Sequence, residues 1–446
     1  MTIEHQQNAG VGNRGFTMSE ITENSANIFA KPNFDSYIQE KTQISFAANN
    51  LDCETGPYHI KIPSNNLQYI ETNSMHLQIL FSVVKQDGSV LDNDANVAIV
   101  NFPGASLFKT IRVGINGKHV SELTNEHFSY KNYMENILSV DQDALTTVGK
   151  AEQCYLDSPW NFNNFNETNK GFNSRKSLIQ GSKKVDVYMP LNVDFFMTDK
   201  LIPPNTSLSL ELDRSSDRFV LLSDDEINDY KVKIHDIRAF VTYVTLNPAI
   251  HALHKTMYER GEKSFHQFSK TEIYTKQFNP GHSSLQINNL TTGIIPRQIV
   301  IGLTDRAGVD GSLKSNPYNF WHFYVKRVEL KINGQSFPRE PLTPDFTNSL
   351  VTRTYKHLLT NTGADQPTSG SVITKKMFQG GYTFYVMDLS QDQSNGFHIY
   401  KSRQGNIDLN LDLNGPLSSN VTLICALIYE DCLTLDKDRN FEVFRL

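Results

Sequence analysis

The chain has 446 residues, of which 39% are hydrophobic and 11% aromatic, so it can build about two or three packed domains and is not a disordered polymer. Its net charge is −6, and its 42 Lys and Arg residues form no dense basic run, which argues against sequence-specific binding of nucleic acid. The four cysteines form no CxxC pair, and the longest apolar run near the C-terminus, Leu423–Tyr429, is too short for a membrane span.

Residues 1–35 are predicted to be a flexible N-terminal arm, because Asn, Gln and Gly dominate them. The arm lacks the apolar run of a signal peptide, which fits synthesis inside the cell with reduced thiols. Thr17–Glu20 has the pattern of a helix cap for one short helix. Gly10–Gly15 matches G-x-G-x-x-G, but no strand precedes it, so a dinucleotide site is rejected in favour of the arm.

From about residue 40 the hydrophobic pattern is that of β-strands. Val185–Met189, Ser207–Asp213 and Asn406–Asn414 alternate apolar and polar residues, as strands with one buried face do. Long amphipathic helices are scarce. The best helical candidates are Asn132–Leu138 and Ser349–Leu359. The sequence therefore predicts an all-β protein with few short helices.

One series of elements occurs twice. Phe108–Lys118 aligns without a gap with Val325–Gln335, and each copy is followed by the same four elements: a segment with Tyr and Leu, a strand ending near an Asp, an alternating strand and a final apolar strand. Chance reproduces one match but not the series. We therefore predict two tandem β-sandwiches, with residues 36–247 as the first domain and residues 248–446 as a linker and the second domain.

Each copy of the repeat contains an Asn-Gly pair at the same place. Asn116 and Gly117 follow the first strand, and Asn333 and Gly334 follow the second. Both residue types tolerate positive φ, which tight hairpin turns require. These four residues are therefore predicted to form two equivalent hairpin turns.

Two long polar insertions interrupt the series, at Ser139–Lys184 and Thr360–Gly380. They show no strand periodicity. Loops of this length in compact domains are usually functional or disordered. We expect them to form the outer surface of an assembly or contacts between subunits.

Four segments in a fixed order resemble the double jelly-roll major capsid proteins of the adenovirus-like lineage. The segments are Ser106–Lys118, Leu201–Leu222, Val328–Pro338 and Gly380–Leu389. The resemblance is greatest to the capsid proteins of Polinton (Maverick) elements and adintoviruses, including their nematode relatives. It covers most of residues 40–440, and it rests on the order of the segments more than on any single motif.

The resemblance implies a fold, a function and partners. Pro203, Pro204 and Asn205 match the family's Pro-Pro-Asn turn. The fold would be two tandem jelly-roll sandwiches. The function would be that of a virion protein, without catalysis or cofactor: a homotrimeric capsomer of pseudo-hexagonal outline in an icosahedral shell around double-stranded DNA. The partners would be neighbouring capsomers, a single jelly-roll penton protein and cement proteins.

Isolated polar clusters support no enzyme or metal site. His251 and His254 have no Glu beside the first His, as a metalloprotease helix requires, so they and Glu259 are assigned to the linker. Ser223–Glu226 and Asp436–Asn440 could offer oxygen ligands to calcium, but neither has EF-hand spacing. Solvated loops between strands explain both better.

Two further features distinguish competing interpretations. Arg214 and Asp217 fit a turn whose charges cap strand ends better than they fit a subunit contact, because exposed ion pairs contribute little.

The main alternative function is a tandem β-sandwich carbohydrate-binding protein, which would expose aromatic platforms. Only two tryptophans occur, Trp160 and Trp321, and Trp321 lies in an apolar run.

Overall fold

The structure, a computed structural model, describes residues 37–225, 229–366, 370–393 and 402–446. The predicted arm, residues 1–35, lies outside the described residues together with its motifs at Gly10–Gly15 and Thr17–Glu20. Within the described part of the chain, every helix is too short or too polar to cross a membrane.

The first half folds into two antiparallel four-stranded sheets. Its strands are β1 (Ile38–Ala47), β2 (Tyr58–Ile62), β3 (Tyr69–Lys85), β4 (Val97–Ile99), β5 (Phe108–Ile115), β6 (Lys118–His119), β7 (Val185–Pro190), β8 (Leu208–Arg214), β9 (Leu221–Ser223) and β10 (Tyr230–Leu246). One sheet has the order β1-β10-β3-β7, the other has the order β2-β8-β5-β6, and β4 pairs with β9.

The second half repeats this arrangement. Its strands are β11 (Ser264–Phe278), β12 (Ser284–Ile294), β13 (Gln298–Asp305), β14 (Val325–Ile332), β15 (Gln335–Leu342), β16 (Phe384–Asp388), β17 (Gln404–Leu413), β18 (Val421–Leu435) and β19 (Phe441–Arg445). The sheet orders are β11-β18-β13-β16 and β12-β17-β14-β15, with β19 added beside β18. In the matching sheets, β11 occupies the position of β1, and β14 occupies the position of β5. Two tandem eight-stranded jelly rolls, as predicted, are confirmed.

The alternating sequences bury one face of each strand. The buried residues of β8 and β17 are Leu208, Leu210, Leu212, Ile407, Leu409, Leu411 and Leu413. Burying one such side chain contributes about 1.5–3 kcal/mol. The main apolar cluster includes residues of both halves, so the two sandwiches share a continuous core.

The helices are short, as predicted. They are α1 (Pro103–Ser106), α2 (Phe128–Ser139), α3 (Gln142–Thr146), α4 (Val148–Ala151), α5 (Lys170–Ile179), α6 (Asp217–Val220), α7 (Pro248–Glu259), α8 (Arg306–Asp310), α9 (Thr352–Asn361) and α10 (Lys375–Gln379). The two predicted helical segments overlap α2 and α9. Between the sandwiches, α7 is capped by Asn247, whose side chain accepts a hydrogen bond from the N–H of Ala249 at 3.0 Å.

The first insertion, Ser139–Lys184, contains regular structure although its sequence shows no strand periodicity. It contains α3, α4 and α5, and α5 packs against β4 through buried Phe172 and Arg175. Its polar residues serve as helix caps: the side chain of Asp141 accepts from the N–H of Ala144 at 2.7 Å. Much of this insertion is therefore a packed layer of helices, and its expected place on the outer surface of an assembly or in contacts between subunits stays a prediction.

Candidate functional site: the junction between the two sandwiches

The two Asn-Gly turns have the same backbone geometry. Asn116 and Gly117 join β5 to β6 with φ of 50° and 77°, and Asn333 and Gly334 join β14 to β15 with φ of 52° and 82°. Positive φ at both central residues is the type I′ geometry that matches the twist of paired strands. The sequence repeat is thus a repeat of turn conformation.

Each turn asparagine also ties its hairpin to the neighbouring strand. Oδ1 of Asn116 accepts a hydrogen bond from the N–H of Ser207 at 2.8 Å, and Oδ1 of Asn333 accepts one from that of Asn406 at 2.9 Å. Asn116 also donates from Nδ2 to the carbonyl oxygen of Arg439, at 3.4 Å, in the second half. The bond of Asn333 to Asn406 stays within its own half, whereas Asn116 reaches across the junction to Arg439.

The Pro-Pro-Asn turn lies at the same junction. Nε of Arg439 donates to the carbonyl oxygen of Pro204 at 2.8 Å, and its guanidinium lies 4.4 Å from the ring centre of Tyr258 in α7. Asn205 adopts a φ of 64°, and Pro203 lines a cavity beside α7. Arg439 therefore connects the first sandwich, the linker helix and the second sandwich.

Arg439 lies in Asp436–Asn440, the stretch assigned to a solvated loop in preference to a calcium site. Oδ1 of Asp436 accepts hydrogen bonds from the N–H groups of Asp438 at 2.9 Å and Asn440 at 2.8 Å. This Asx-type turn is one that an aspartate makes with its own backbone. Nothing in the spacing of the sequence indicates that the turn directs Arg439 toward the other half.

A buried ionic cluster around Asp194 joins the halves more tightly. Asp194 is 2% exposed, and its carboxylate lies 3.2 Å from Nζ of Lys131 and 3.4 Å from Nζ of Lys270. It also accepts hydrogen bonds from Nδ2 of Asn125 and from the N–H of Thr271, the latter at 3.2 Å. Lys270 and Thr271 belong to β11, so one carboxylate of the first half holds an edge strand of the second.

The charges in this cluster compensate one another. Burial acts to lower the pKa of Lys131, but the carboxylates of Glu135 and Asp194 outweigh it, so the pKa is raised. Nζ of Lys131 lies 2.7 Å from Glu135. Because an unpaired buried charge costs several kcal/mol, sliding the two sandwiches past each other is strongly disfavoured.

A second buried cluster centres on Asp157, within the first insertion. Its carboxylate lies 2.6 Å from Nη2 of the fully buried Arg175 and accepts hydrogen bonds from Nδ2 of Asn169 at 2.9 Å and Nδ2 of Asn316 at 3.0 Å. The hydroxyl of Tyr382 donates to the backbone carbonyl of Asp157 at 2.7 Å. Asn316 and Tyr382 belong to the second half, so the insertion is part of the junction.

Sequence reasoning missed both clusters. One signal was available: Lys131 stands among Phe128, Tyr130 and Tyr133, and a lone charge in an aromatic helix face indicates a buried partner. The partner itself could not be named, because Asp194 is distant in sequence.

The remaining candidates have structural partners. Nη2 of Arg214 lies 2.7 Å from Asp217, whose carboxylate also accepts from the N–H of Val232 at 3.0 Å. The Arg214 side chain is only 7% exposed. The pair therefore ties β8 to β10, as the interpretation of capped strand ends describes. In Ser223–Glu226, the hydroxyl of Ser223 accepts from the N–H of Asp225 at 3.0 Å, and residue 226 lies outside the described residues.

The two linker histidines contact the first sandwich. The hydroxyl of Tyr69 lies 2.9 Å from Nδ1 of His254 and 3.4 Å from Nδ1 of His251. Burial raises the pKa of Tyr69 to about 12, and burial with the neighbouring His251 lowers that of His254. Among the described residues, no three His, Cys, Asp or Glu side chains are grouped to hold a metal ion. The contacts fit the linker assignment.

Comparison with known sequences gives one relative. No family model matches the chain. Protein F54H12.2 of Caenorhabditis elegans is 22% identical over 402 residues, which cover 86% of this chain and 92% of that protein.

Solved structures from viruses share the fold over nearly the whole chain. A chain of the Sputnik virophage gives a TM-score of 0.65 at 12% identity, covering 98% of this chain and 94% of that one. The Faustovirus major capsid protein gives 0.57 at 9% identity, over 94% and 92%. The mavirus major capsid protein gives 0.53 at 11% identity, over 99% and 97%. The likeness establishes that both jelly rolls and their pairing are shared.

Proposed function

We propose that the chain is a major capsid protein, and that three copies form a pseudo-hexagonal capsomer of an icosahedral shell around double-stranded DNA. The sequence resemblance to Polinton and adintovirus capsid proteins supports this, as does the fold shared with the mavirus and Faustovirus capsid proteins. The protein acts by assembly rather than catalysis. It is made in the host cell and resides in the virion, with neighbouring capsomers, a penton protein and cement proteins as partners.

The observation that carries this proposal is a difference between two equivalent edge strands. In β11, five residues are buried, and four of them lie close together: His266, Phe268, Lys270 and Thr271. The side chains of the first sandwich cover this stretch, as Phe195 does by packing on Phe268 with ring centres 5.8 Å apart. β1 occupies the same position in the first sandwich, and most of its residues are exposed.

The contact between the two sandwiches is heterologous, since different surfaces of the same fold meet. A heterologous contact that recurs between copies closes into a ring when the rotation allows it. The second sandwich of one copy would cover β1 of the next. Three copies give six sandwiches around one axis. Because each copy supplies two sandwiches, we also propose the division of the chain into domains at 36–247 and 248–446.

The test is the molar mass in solution, by light scattering on a chromatography column. The expected mass is three times 50.6 kDa at micromolar concentration and moderate salt. Electron microscopy should then show hexagonal capsomers. A clean monomer would contradict the proposal and favour the carbohydrate-binding alternative.

Variants locate the interface. Gln43 and Ser45 point away from the sandwich interior, because side chains alternate along β1 and Phe46 packs inward on buried Tyr243. Gln43→Glu combined with Ser45→Glu should convert the trimer to monomer. The control is Lys61→Glu on the exposed face of β2, which should remain trimeric. Equal behaviour of the two variants would place the interface elsewhere.

The carbohydrate-binding alternative requires open aromatic platforms. Trp160 is 48% exposed, but Nζ of Lys376 lies 5.6 Å from its ring centre. Trp321 packs on His322 with ring centres 4.3 Å apart. A neighbouring side chain thus lies against each indole, which favours the capsid proposal over a pair of open sugar-binding platforms.

A further inference from the structure

A polar cavity of about 270 Å³ lies where the linker helix α7 meets both sandwiches. Three parts of the chain form its walls. Asn205 belongs to the first sandwich, Lys255 to α7, and Lys437 and Arg439 to the second sandwich. A ligand held in this cavity therefore contacts all three parts at once.

The charges around the cavity are mainly positive. Among the described residues of its lining, the cations Lys255, Lys437 and Arg439 stand against one carboxylate, that of Glu259. Nζ of Lys255 lies 4.0 Å from this carboxylate, and both side chains are exposed, so the pair contributes little. The lining thus has an excess of positive charge, which favours an anion as the ligand.

Neutral groups hold Arg439 in place at this cavity. Its Nε donates to the carbonyl oxygen of Pro204 at 2.8 Å, and its Nη1 donates to that of Asp436 at 3.2 Å. The guanidinium also lies 4.4 Å from the ring centre of Tyr258. Neither hydrogen bond uses Nη2. A guanidinium fixed in this way loses little side-chain freedom when it binds an anion.

The histidines of α7 add further donors to the lining. Nδ1 of His254 lies 2.9 Å from the hydroxyl of Tyr69, and both residues line the cavity. Burial raises the pKa of Tyr69 to about 12, so this hydroxyl keeps its proton at neutral pH. When the hydroxyl donates to Nδ1, the proton of the neutral imidazole is on Nε2, and His254 becomes a donor at that nitrogen.

We propose that this cavity binds a small molecule with linked phosphate groups, either free diphosphate or the phosphate chain of a nucleotide. Its oxygens accept hydrogen bonds from Lys255, Lys437 and Nη2 of Arg439. A diphosphate offers more acceptor oxygens and more charge than a carboxylate, which suits donors that converge from several elements. The volume is just below the range of about 300–1,000 Å³ for sites of larger ligands, so a small anion fits it. The bound anion links the two sandwiches through α7, whether or not the chain is a capsid protein.

Calorimetric titration of the full-length protein with pyrophosphate, at constant ionic strength, tests the site. Wild type should bind one pyrophosphate per chain. Lys437→Gln should bind it about tenfold more weakly, because the substitution removes a charged hydrogen bond. Glu259→Gln should bind it more tightly, because the substitution removes the carboxylate of the lining.

Lys109→Gln is the matched control and should bind pyrophosphate like wild type. Lys109 is exposed and lies seven residues before Asn116, which is about 23 Å along β5 from the turn that contacts Arg439. Thermal unfolding gives a second measurement. Pyrophosphate should raise the Tm of wild type and of Lys109→Gln more than that of Lys437→Gln, because a ligand of the folded state stabilises it.

A nucleoside diphosphate distinguishes the two sources of phosphate. Affinity equal to that of pyrophosphate would assign binding to the phosphate groups alone, and higher affinity would identify a nucleotide as the ligand; either result supports the proposal. Absence of binding to wild type, unchanged affinity in Lys437→Gln or an equal loss in Lys109→Gln would overturn it. A DNA duplex that displaces pyrophosphate at a lower phosphate concentration would also overturn it, because the cations would then belong to a nucleic-acid surface.

Discussion

Asp194→Asn should destabilise the protein by about 3 kcal/mol, because it removes one partner from a buried ionic cluster. The substitution keeps the side-chain volume but takes away the negative charge that lies 3.2 Å from Nζ of Lys131 and 3.4 Å from Nζ of Lys270. Lys131 retains Glu135 at 2.7 Å, which places the expected loss at the lower end of the range of about 3–5 kcal/mol for broken buried pairs. Equilibrium unfolding in urea measures the loss.

Two further variants make the experiment specific. Glu71→Gln removes an acid that pairs with Lys41 on the surface at 2.6 Å, and it should cost no more than about 1 kcal/mol. A double-mutant cycle of Asp194→Asn with Lys270→Met measures the coupling across the junction, and we expect at least about 1 kcal/mol. If Asp194→Asn cost no more than Glu71→Gln, the cluster would not hold the sandwiches together.

Gly334→Val should cost about 1–3 kcal/mol while Gly334→Asn costs less, because φ is 82° and the surrounding space is open; a valine variant that melts like wild type would contradict this. Burial raises the pKa of Glu152 from 4.5 to about 7, so stability falls as pH rises through that window. The stability advantage of Glu152→Gln over wild type should therefore be about 2–3 kcal/mol larger at about pH 8 than at about pH 4.5. Urea unfolding of both proteins at the two pH values measures it, and the same advantage at both would refute the reasoning. Burial lowers the pKa of His322 from 6.5 to about 4. The neutral imidazole therefore contributes its full stability to the fold above pH 6.5, and this contribution is lost as the pH falls to 4. Between about pH 7 and about pH 4, the free energy of unfolding of His322→Gln should fall by about 2–3 kcal/mol less than that of wild type. Urea unfolding measures this too, and an equal fall in both proteins would exclude His322 as the cause.

The sequence predicts the parts of the fold that local rules determine. The alternating pattern of β8 and β17 and the Asn-Gly turns survive in both halves, because each requires only a buried face or a positive φ. The earlier strands of the two halves cannot be aligned in the same way. β3 has 17 residues and β13 has eight, so at most about half of β3 has a counterpart in β13.

The junction is not predictable from one sequence, because its energy comes from contacts between distant elements. Asp194 appears in the sequence only as a polar residue after a strand, and its meaning depends on Lys270 in β11. The helices of the first insertion are not predictable from one sequence for a related reason. Its Asn and Asp residues resemble a loop, but Asp141 and Asn169 cap helices whose other residues, such as Phe172, are buried.

The two asparagine turns show the difference between local conformation, which a sequence predicts, and contacts between distant elements, which it does not. Asn116 and Asn333 make the same bonds to the neighbouring strand, because backbone sterics and one acceptor atom set that requirement in any copy of the fold. Only Asn116 also donates to the carbonyl oxygen of Arg439. A repeated motif therefore carries the local turn, whereas contacts made by one copy, such as those of Asp194 with Lys270 and of Arg439 with Pro204, fix how the halves meet. Under the capsid proposal, the two jelly rolls therefore have different roles. The first sandwich covers β11 of the second, whereas β1 of the first stays exposed and is available to the next molecule.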